Sequence, residues 1–210
     1  MNASKVPLLA AIAVIVLFFV GGAFVGAPLP VEKSPADTVA WLQVHRDGIP
    51  VAVVCTTLAL VPFLILTAWV RRALPDVYGY AFLAAAGAFG AQTMVSLWFV
   101  SGPALHADTI EPKTARALMD VGAYYGPILT STDVVMAGAV ALAALGAGAL
   151  PNWLGWVSAV FAAEQVAEMS TIYGTSGFAA PGGPWNFGVG AALLMIWFLA
   201  LGVALSRKPA

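Results

Sequence analysis

Long apolar runs recur six times along the chain, at about 6–27, 50–70, 78–101, 117–149, 153–173 and 185–206. They are continuous rather than alternating, which predicts helices and not the in–out pattern of a membrane β-barrel. Each approaches the ~20 apolar residues that a helix needs to cross a bilayer. The predicted fold class is therefore all-α: a polytopic bundle of six transmembrane spans in a single domain, 1–210. Lys5 followed by an apolar run and Val25-Gly26-Ala27 also has the look of a signal peptide with a cleavage site. It is read here as the first span.

The connections differ in length. Two short ones, 71–77 and 150–152, alternate with long ones. With both termini cytoplasmic, the short connections lie inside with Lys5, Arg71, Arg72, Arg207 and Lys208, opposed only by Asp76. Lys33, Arg46, Lys113 and Arg116 then lie outside, against Glu32, Asp37, Asp47, Asp108 and Glu111. This asymmetry sets the predicted orientation. Trp69, Trp153 and Trp156 would mark the inner interface, and Trp98 and Trp185 the outer one.

Ser34-Pro35-Ala36-Asp37 has the order of a helix start, predicting a short outer helix over 35–46. Ala107-Asp108-Thr109-Ile110 echoes Ala36-Asp37-Thr38-Val39 over too few positions to define a repeat. Span four is long and carries Gly126-Pro127, where a bend is expected because proline removes a backbone hydrogen bond. Its Ala/Gly-rich half, Met136 to Gly148, suits close packing against Ala84 to Ala91. Residues 174–184 are Gly/Pro-rich and predict a turn.

Composition agrees with the pattern: 61% of the 210 residues are hydrophobic and 9% charged, with a mean hydropathy of +0.91. The expected partner is the lipid bilayer, with a homo-oligomer or larger membrane complex left open. A formal net charge of −1 without a basic stripe excludes nucleic acid. Cys55 is the lone cysteine, so no internal disulfide can form.

The candidate chemistry lies in four carboxylates within spans four and five, Asp120, Asp133, Glu164 and Glu168, with no Lys or Arg inside any span. An ionisable group at the bilayer centre costs roughly 2.5–3.5 kcal/mol on insertion scales, so such residues face a bundle interior or a wet cavity. The short connection makes spans four and five antiparallel neighbours. A rise of 1.5 Å per residue then brings Asp133 and Glu168 to the same depth, ~22 Å above the inner ends, with Glu164 one turn lower. Asp120 lies nearer the outer surface and is expected to be solvated. Gln92, Ser96, Trp98, Tyr125, Gln165 and Trp197 are the predicted ligand-binding companions, Trp197 serving either as ligand wall or as core.

Close carboxylates in a low dielectric cannot all ionise. A retained proton suits acid–base work on a small hydrophobic ligand, as in an isomerase or cyclase of isoprenoid or sterol-like lipids. Glu164 is expected to donate the proton, with Asp133 and Glu168 as partners. Proton- or cation-coupled transport, an accessory subunit of a larger complex, and a purely structural acid cluster are the competing readings. No cofactor or metal motif is present; His45 and His106 fall in outer loops, leaving metal or heme between them open.

The N-terminal span, Pro35-Ala36-Asp37-Thr38, the Leu150-Pro151-Asn152-Trp153-Leu154-Gly155-Trp156 opening of span five and Ala180-Pro181-Gly182-Gly183-Pro184 resemble a bacterial, largely actinobacterial family of six-helix membrane proteins without an established activity. The resemblance covers most of the chain. It implies the bundle and a multi-pass place in the bacterial cell membrane, and leaves function to the residues.

Overall fold

A computed structural model describes residues 3–207, apart from the side chains of Ala3, Tyr125 and Pro127. Among the described residues there is no strand. The α-helices are α1 (Val6–Val25), α2 (Pro35–His45), α3 (Gly48–Ala73), α4 (Asp76–Leu105), α5 (Pro112–Ala123), α6 (Tyr125–Leu145), α7 (Asn152–Glu168) and α8 (Ala191–Ser206). A 3-10 segment, Met169–Tyr173, extends α7, and a π-helical turn, Trp185–Gly190, leads into α8.

Four stretches of the chain are long and apolar enough to cross a membrane as α1, α3, α4 and α8 with its π turn, and a fifth runs through α5 and α6. Their outward faces carry Leu9, Val16 and Phe19, Val54, Leu58 and Val61, and Ile196 and Leu199. Apolar side chains exposed in such numbers are out of place in water and suit a lipid surround. The helix α7 has 17 residues, and at 1.5 Å each it covers only ~26 Å.

Predicted span four is two helices. Proline at 127 offers no N–H to the carbonyl of Ala123, and the helix breaks at Tyr124, one turn before it. The lower end of α6 is Leu145 rather than 149, because Gly148 takes φ +62° in the turn to α7. Hydropathy cannot mark that end, since every residue through Leu150 is small or apolar.

The core is a single stack of Phe63, Phe82, Phe89, Met136, Val140, Phe161, Trp197 and Leu201 with small residues between them. Glycine permits the close approaches: Gly155 lies against Ala144 and Leu145, which fixes the antiparallel register of α6 and α7. Gly202 lies against Pro7 and Leu8, so the two ends of the described chain meet at one end of the bundle. Short connections lie at that end, together with Arg71 and Arg72.

The opposite end is capped by α2 and α5. Ser34 and Asp37 form a capping box, Ser34 Oγ accepting from Asp37 N–H at 3.1 Å and Asp37 Oδ2 from Ser34 N–H at 3.1 Å. The Ser34 hydroxyl also donates to Asp37 Oδ2 at 2.8 Å, and this bond, with the one from Ser34 N–H, holds the Asp37 carboxyl below its usual range. Glu111 caps α5 from Thr114 N–H at 2.8 Å, again with proline next. The structural parallel is thus Ser34-Pro35 with Glu111-Pro112, while Ala107-Asp108-Thr109 forms a turn. Leu42, Ile49, Ala104, Ala107, Ala115 and Met119 give this cap its own small core.

Candidate functional site

The register set by Gly155 places Glu164 and Glu168 on α7 beside Asp133 on α6. From Gly155, thirteen residues of rise bring Glu168 ~20 Å along the helix, and eleven to twelve from Ala144 or Leu145 bring Asp133 to ~17 Å. Asp133 and Glu168 are 4% and 3% exposed, and Glu164 is half-buried. Both glutamates lie close enough to act on the charge of Asp133. The predicted trio therefore converges.

Its hydrogen bonds come from neutral donors. Gln165 Nε2 donates to Glu164 Oε2 at 2.9 Å and to Glu168 Oε2 at 2.8 Å. Trp185 Nε1 donates to Glu164 Oε1 at 2.8 Å, and Asn186 Nδ2 donates to Glu168 Oε1 at 2.7 Å and Thr171 Oγ1 at 3.0 Å. The π turn makes this possible by presenting two consecutive side chains, Trp185 and Asn186, to two carboxylates one helical turn apart. Asn186 Oδ1 in turn accepts from Gly182 N–H at 2.9 Å, and Gly182 takes φ +67° in the loop. The loop 174–184 is consequently tied down onto the acids, with Ala180 2% exposed.

Glycine is also required at 190. A methyl group there would overlap Glu168 Oε2 and lie 2.9 Å from its Cδ. The Glu168 carboxyl fills the space that a side chain would take. One acceptor is left over: Asp133 Oδ1 is buried and unpartnered, as is Gln92 Oε1 on the neighbouring α4. A buried acceptor without a donor costs roughly 1–3 kcal/mol.

Other predicted companions fall elsewhere. Ser96 donates to Thr93 O in its own helix at 2.8 Å, and Trp98 is 68% exposed on the outside of α4. Trp197 is fully buried in the core, where Nε1 donates to Ser158 Oγ at 2.9 Å and the ring packs on Phe161 at 5.3 Å. Tyr125 begins α6, with its side chain outside the described residues. Asp120 is not simply solvated: Arg116, 8% exposed, pairs with it through Nε at 2.8 Å and through Nη2, while Nη1 donates to Pro30 O at 3.2 Å.

His45 Nδ1 donates to Trp41 O at 2.8 Å and its ring stacks on Trp41, while His106 is exposed in the turn after α4. Among the described residues no group of three or more His, Cys, Asp or Glu side chains is arranged to hold a metal ion. Cavities among the described residues include a small apolar one of about 20 Å³ between Val14, Phe63, Phe89 and Phe198, and one of about 240 Å³ between Arg46, Ile49, Val53 and Ala104. Neither is lined by the carboxylate trio.

Sequence reasoning missed Trp185 as a donor and Asn186 altogether. The available signal was an isolated amide inside an apolar run directly after Gly-Gly-Pro, a polar residue that hydrocarbon would not tolerate without a partner.

Fold and site together define an all-helical bundle, with helices long and apolar enough for a membrane, enclosing a cluster of buried carboxylates. Comparison of the chain with protein-family models, curated proteins and solved structures yields no match.

Proposed function

We propose that this is a six-span protein of the bacterial cell membrane, with both termini cytoplasmic, whose carboxylate trio binds a small hydrophobic ligand and performs acid–base chemistry on it. In this reading α7 and its 3-10 extension together make the remaining span, since five further residues at ~2 Å each lengthen α7 from ~26 to ~36 Å, enough for the ~30 Å of a hydrocarbon core. The end capped by α2 and α5 faces outward. Glu164, the most accessible acid, is the proton donor; Asp133 and Glu168 share the remaining protons and charge.

The observation that carries this reading is a triad of carboxylates met only by neutral donors and standing above an apolar plug. Below the trio the packed core is Met136, Ala137, Val140, Ala143, Phe161, Trp197 and Leu201, each at most 2% exposed. A proton relay through the bundle would need polar groups there. Among the described residues the buried polar groups at that level are Trp197 with Ser158, satisfied locally, and an isolated Thr67 hydroxyl on α3, which make no continuous chain. A one-sided site fits ligand chemistry better than transport.

Native mass spectrometry of gently purified protein, with extraction of what is bound, tests the proposal. A stoichiometric apolar small molecule, retained by the parent protein and lost in Glu164→Gln, is expected. An empty protein, or one carrying only another polypeptide, would overturn it in favour of transport or an accessory role.

A further inference from the structure

The hydrogen-bond inventory of the trio is lopsided. Gln165 and Asn186 have each committed both amide hydrogens, and Trp185 its single N–H. Three carboxylates remain without a cation, and Asp133 Oδ1, at a residue 96% buried, has no donor at all. A carboxylate accepts up to about four hydrogen bonds, so Glu164 and Glu168 also keep free capacity. What the cluster lacks is donors and positive charge. Once the proton held on Glu164 has passed to the ligand, a carboxylate or phosphate group would face acceptors there, and a hydroxyl would offer one donor. A primary ammonium group brings three donors and a charge.

An approach exists on the outside of α7. Trp156, Val160 and Glu164 are spaced four apart and so share one face; Trp156 and Val160 are 65% and 63% exposed. This apolar stripe leads to the half-buried carboxylate, where an acid beside hydrocarbon would be costly unless paired.

We infer that the ligand is an amphiphile with a primary amine head that takes the proton of Glu164 and pairs with it as an ammonium, its apolar tail lying along the Trp156–Val160 stripe. The inference rests on the hydrophobic-ligand reading and specifies the head group. Two sources share that chemistry: an aminophospholipid headgroup and a free long-chain amine.

The test uses the full chain in phosphatidylcholine nanodiscs titrated with dodecylamine, dodecanol and dodecyltrimethylammonium at neutral pH. Dodecylamine should bind at least about tenfold tighter than the alcohol, and the preference should vanish in Glu164→Gln. Dodecyltrimethylammonium keeps the charge without N–H donors and should bind about tenfold more weakly than the amine, a comparison that needs no variant. Equal affinities for amine and alcohol, a preference that survives Glu164→Gln, or equal binding of both cations would overturn the inference. Alcohol binding lost in Glu164→Gln, without amine preference, would overturn the head group and leave the hydrophobic-ligand reading intact. Carboxylate-independent binding of all three would end both. Enrichment of phosphatidylethanolamine over phosphatidylcholine in the purified protein would support the inference with the lipid as source. Amine binding without such enrichment would support it with a free amine.

Discussion

Trp185 Nε1 donates to Glu164 Oε1 across 21 positions of chain, and its neighbour Asn186 does the same for Glu168 across 18. The second of these residues holds more than the first. Asn186 joins the end of α7, the 3-10 segment at Thr171 and the loop at Gly182.

Asn186→Ala should therefore lower stability by about 2–4 kcal/mol, since it leaves a buried carboxylate and a loop N–H short of partners. Trp185→Phe can keep the stack on Phe178, now at 5.9 Å, and should cost about 1.5–3 kcal/mol for a single bond to an acid. Thermal unfolding in one detergent reads both. A Trp185 variant that costs more than the Asn186 variant would contradict this ranking.

The contact of Gly190 with Glu168 predicts a coupling. Gly190→Ala forces the carboxyl out of its place and should destabilise by about 1–3 kcal/mol. In a Glu168→Ala background the space is open and the same substitution should be nearly neutral. A double-mutant cycle should give an interaction energy in the range of about 0.5–3 kcal/mol. Additive effects would mean that Glu168 does not occupy the notch.

These two contacts show what could be read from the chain and what could not. Five helices long and apolar enough to cross a membrane were legible because hydrocarbon selects uninterrupted apolar runs, and the shared level of Asp133 and Glu168 followed from a short connection and a fixed helical rise. The partners of the acids were not legible. Nearby hydroxyls were the obvious candidates, yet Ser96, Ser131, Thr132 and Ser170 all bond to carbonyls of their own helices. Trp185 and Asn186 reach the site because a π turn replaces the first turn of α8, and periodicity does not encode that change. Trp197 has the same composition signal as a ligand-wall tryptophan, and only packing reveals it as core.

The cap on α2 should respond to acid. The Asp37 carboxyl is held below the usual carboxylate range because the Ser34 hydroxyl and N–H donate to its charged form. A carboxyl whose folded pKa is depressed adds stability that is complete above the unfolded value and lost as pH falls through the folded one. Amide exchange at the start of α2 should thus be constant from neutral pH down to about pH 5 after correction for intrinsic rates, then accelerate below about pH 4. Asp37→Asn should remove that acceleration. A variant that keeps it would assign the effect to another group.

Arg116 should matter more than its partner. It is buried and serves both Asp120 and the carbonyl of Pro30, whereas the Asp120 side chain is 41% exposed. Arg116→Met should cost about 2–3 kcal/mol and Asp120→Asn about 1 kcal/mol or less. Comparable losses from both, by thermal unfolding, would show that the ion pair rather than the Pro30 contact holds the cap.

The orientation makes the last prediction. Cys55 is 8% exposed, so the parent protein should react little with an impermeant thiol reagent, and Cys55→Ser supplies a silent background. Asp108 is exposed at the capped end and Arg72 lies at the opposite end, in the last turn of α3. With the basic short connections held in the cytoplasm, Asp108→Cys should be labelled in intact cells. Arg72→Cys should be labelled only after the membrane is opened. The reverse pattern would invert the protein and turn the acid trio toward the cytoplasm, leaving the chemistry unchanged but moving its ligand to the inner leaflet. Labelling of both in intact cells would require an even number of crossings between them and so would contradict a single pass by α4.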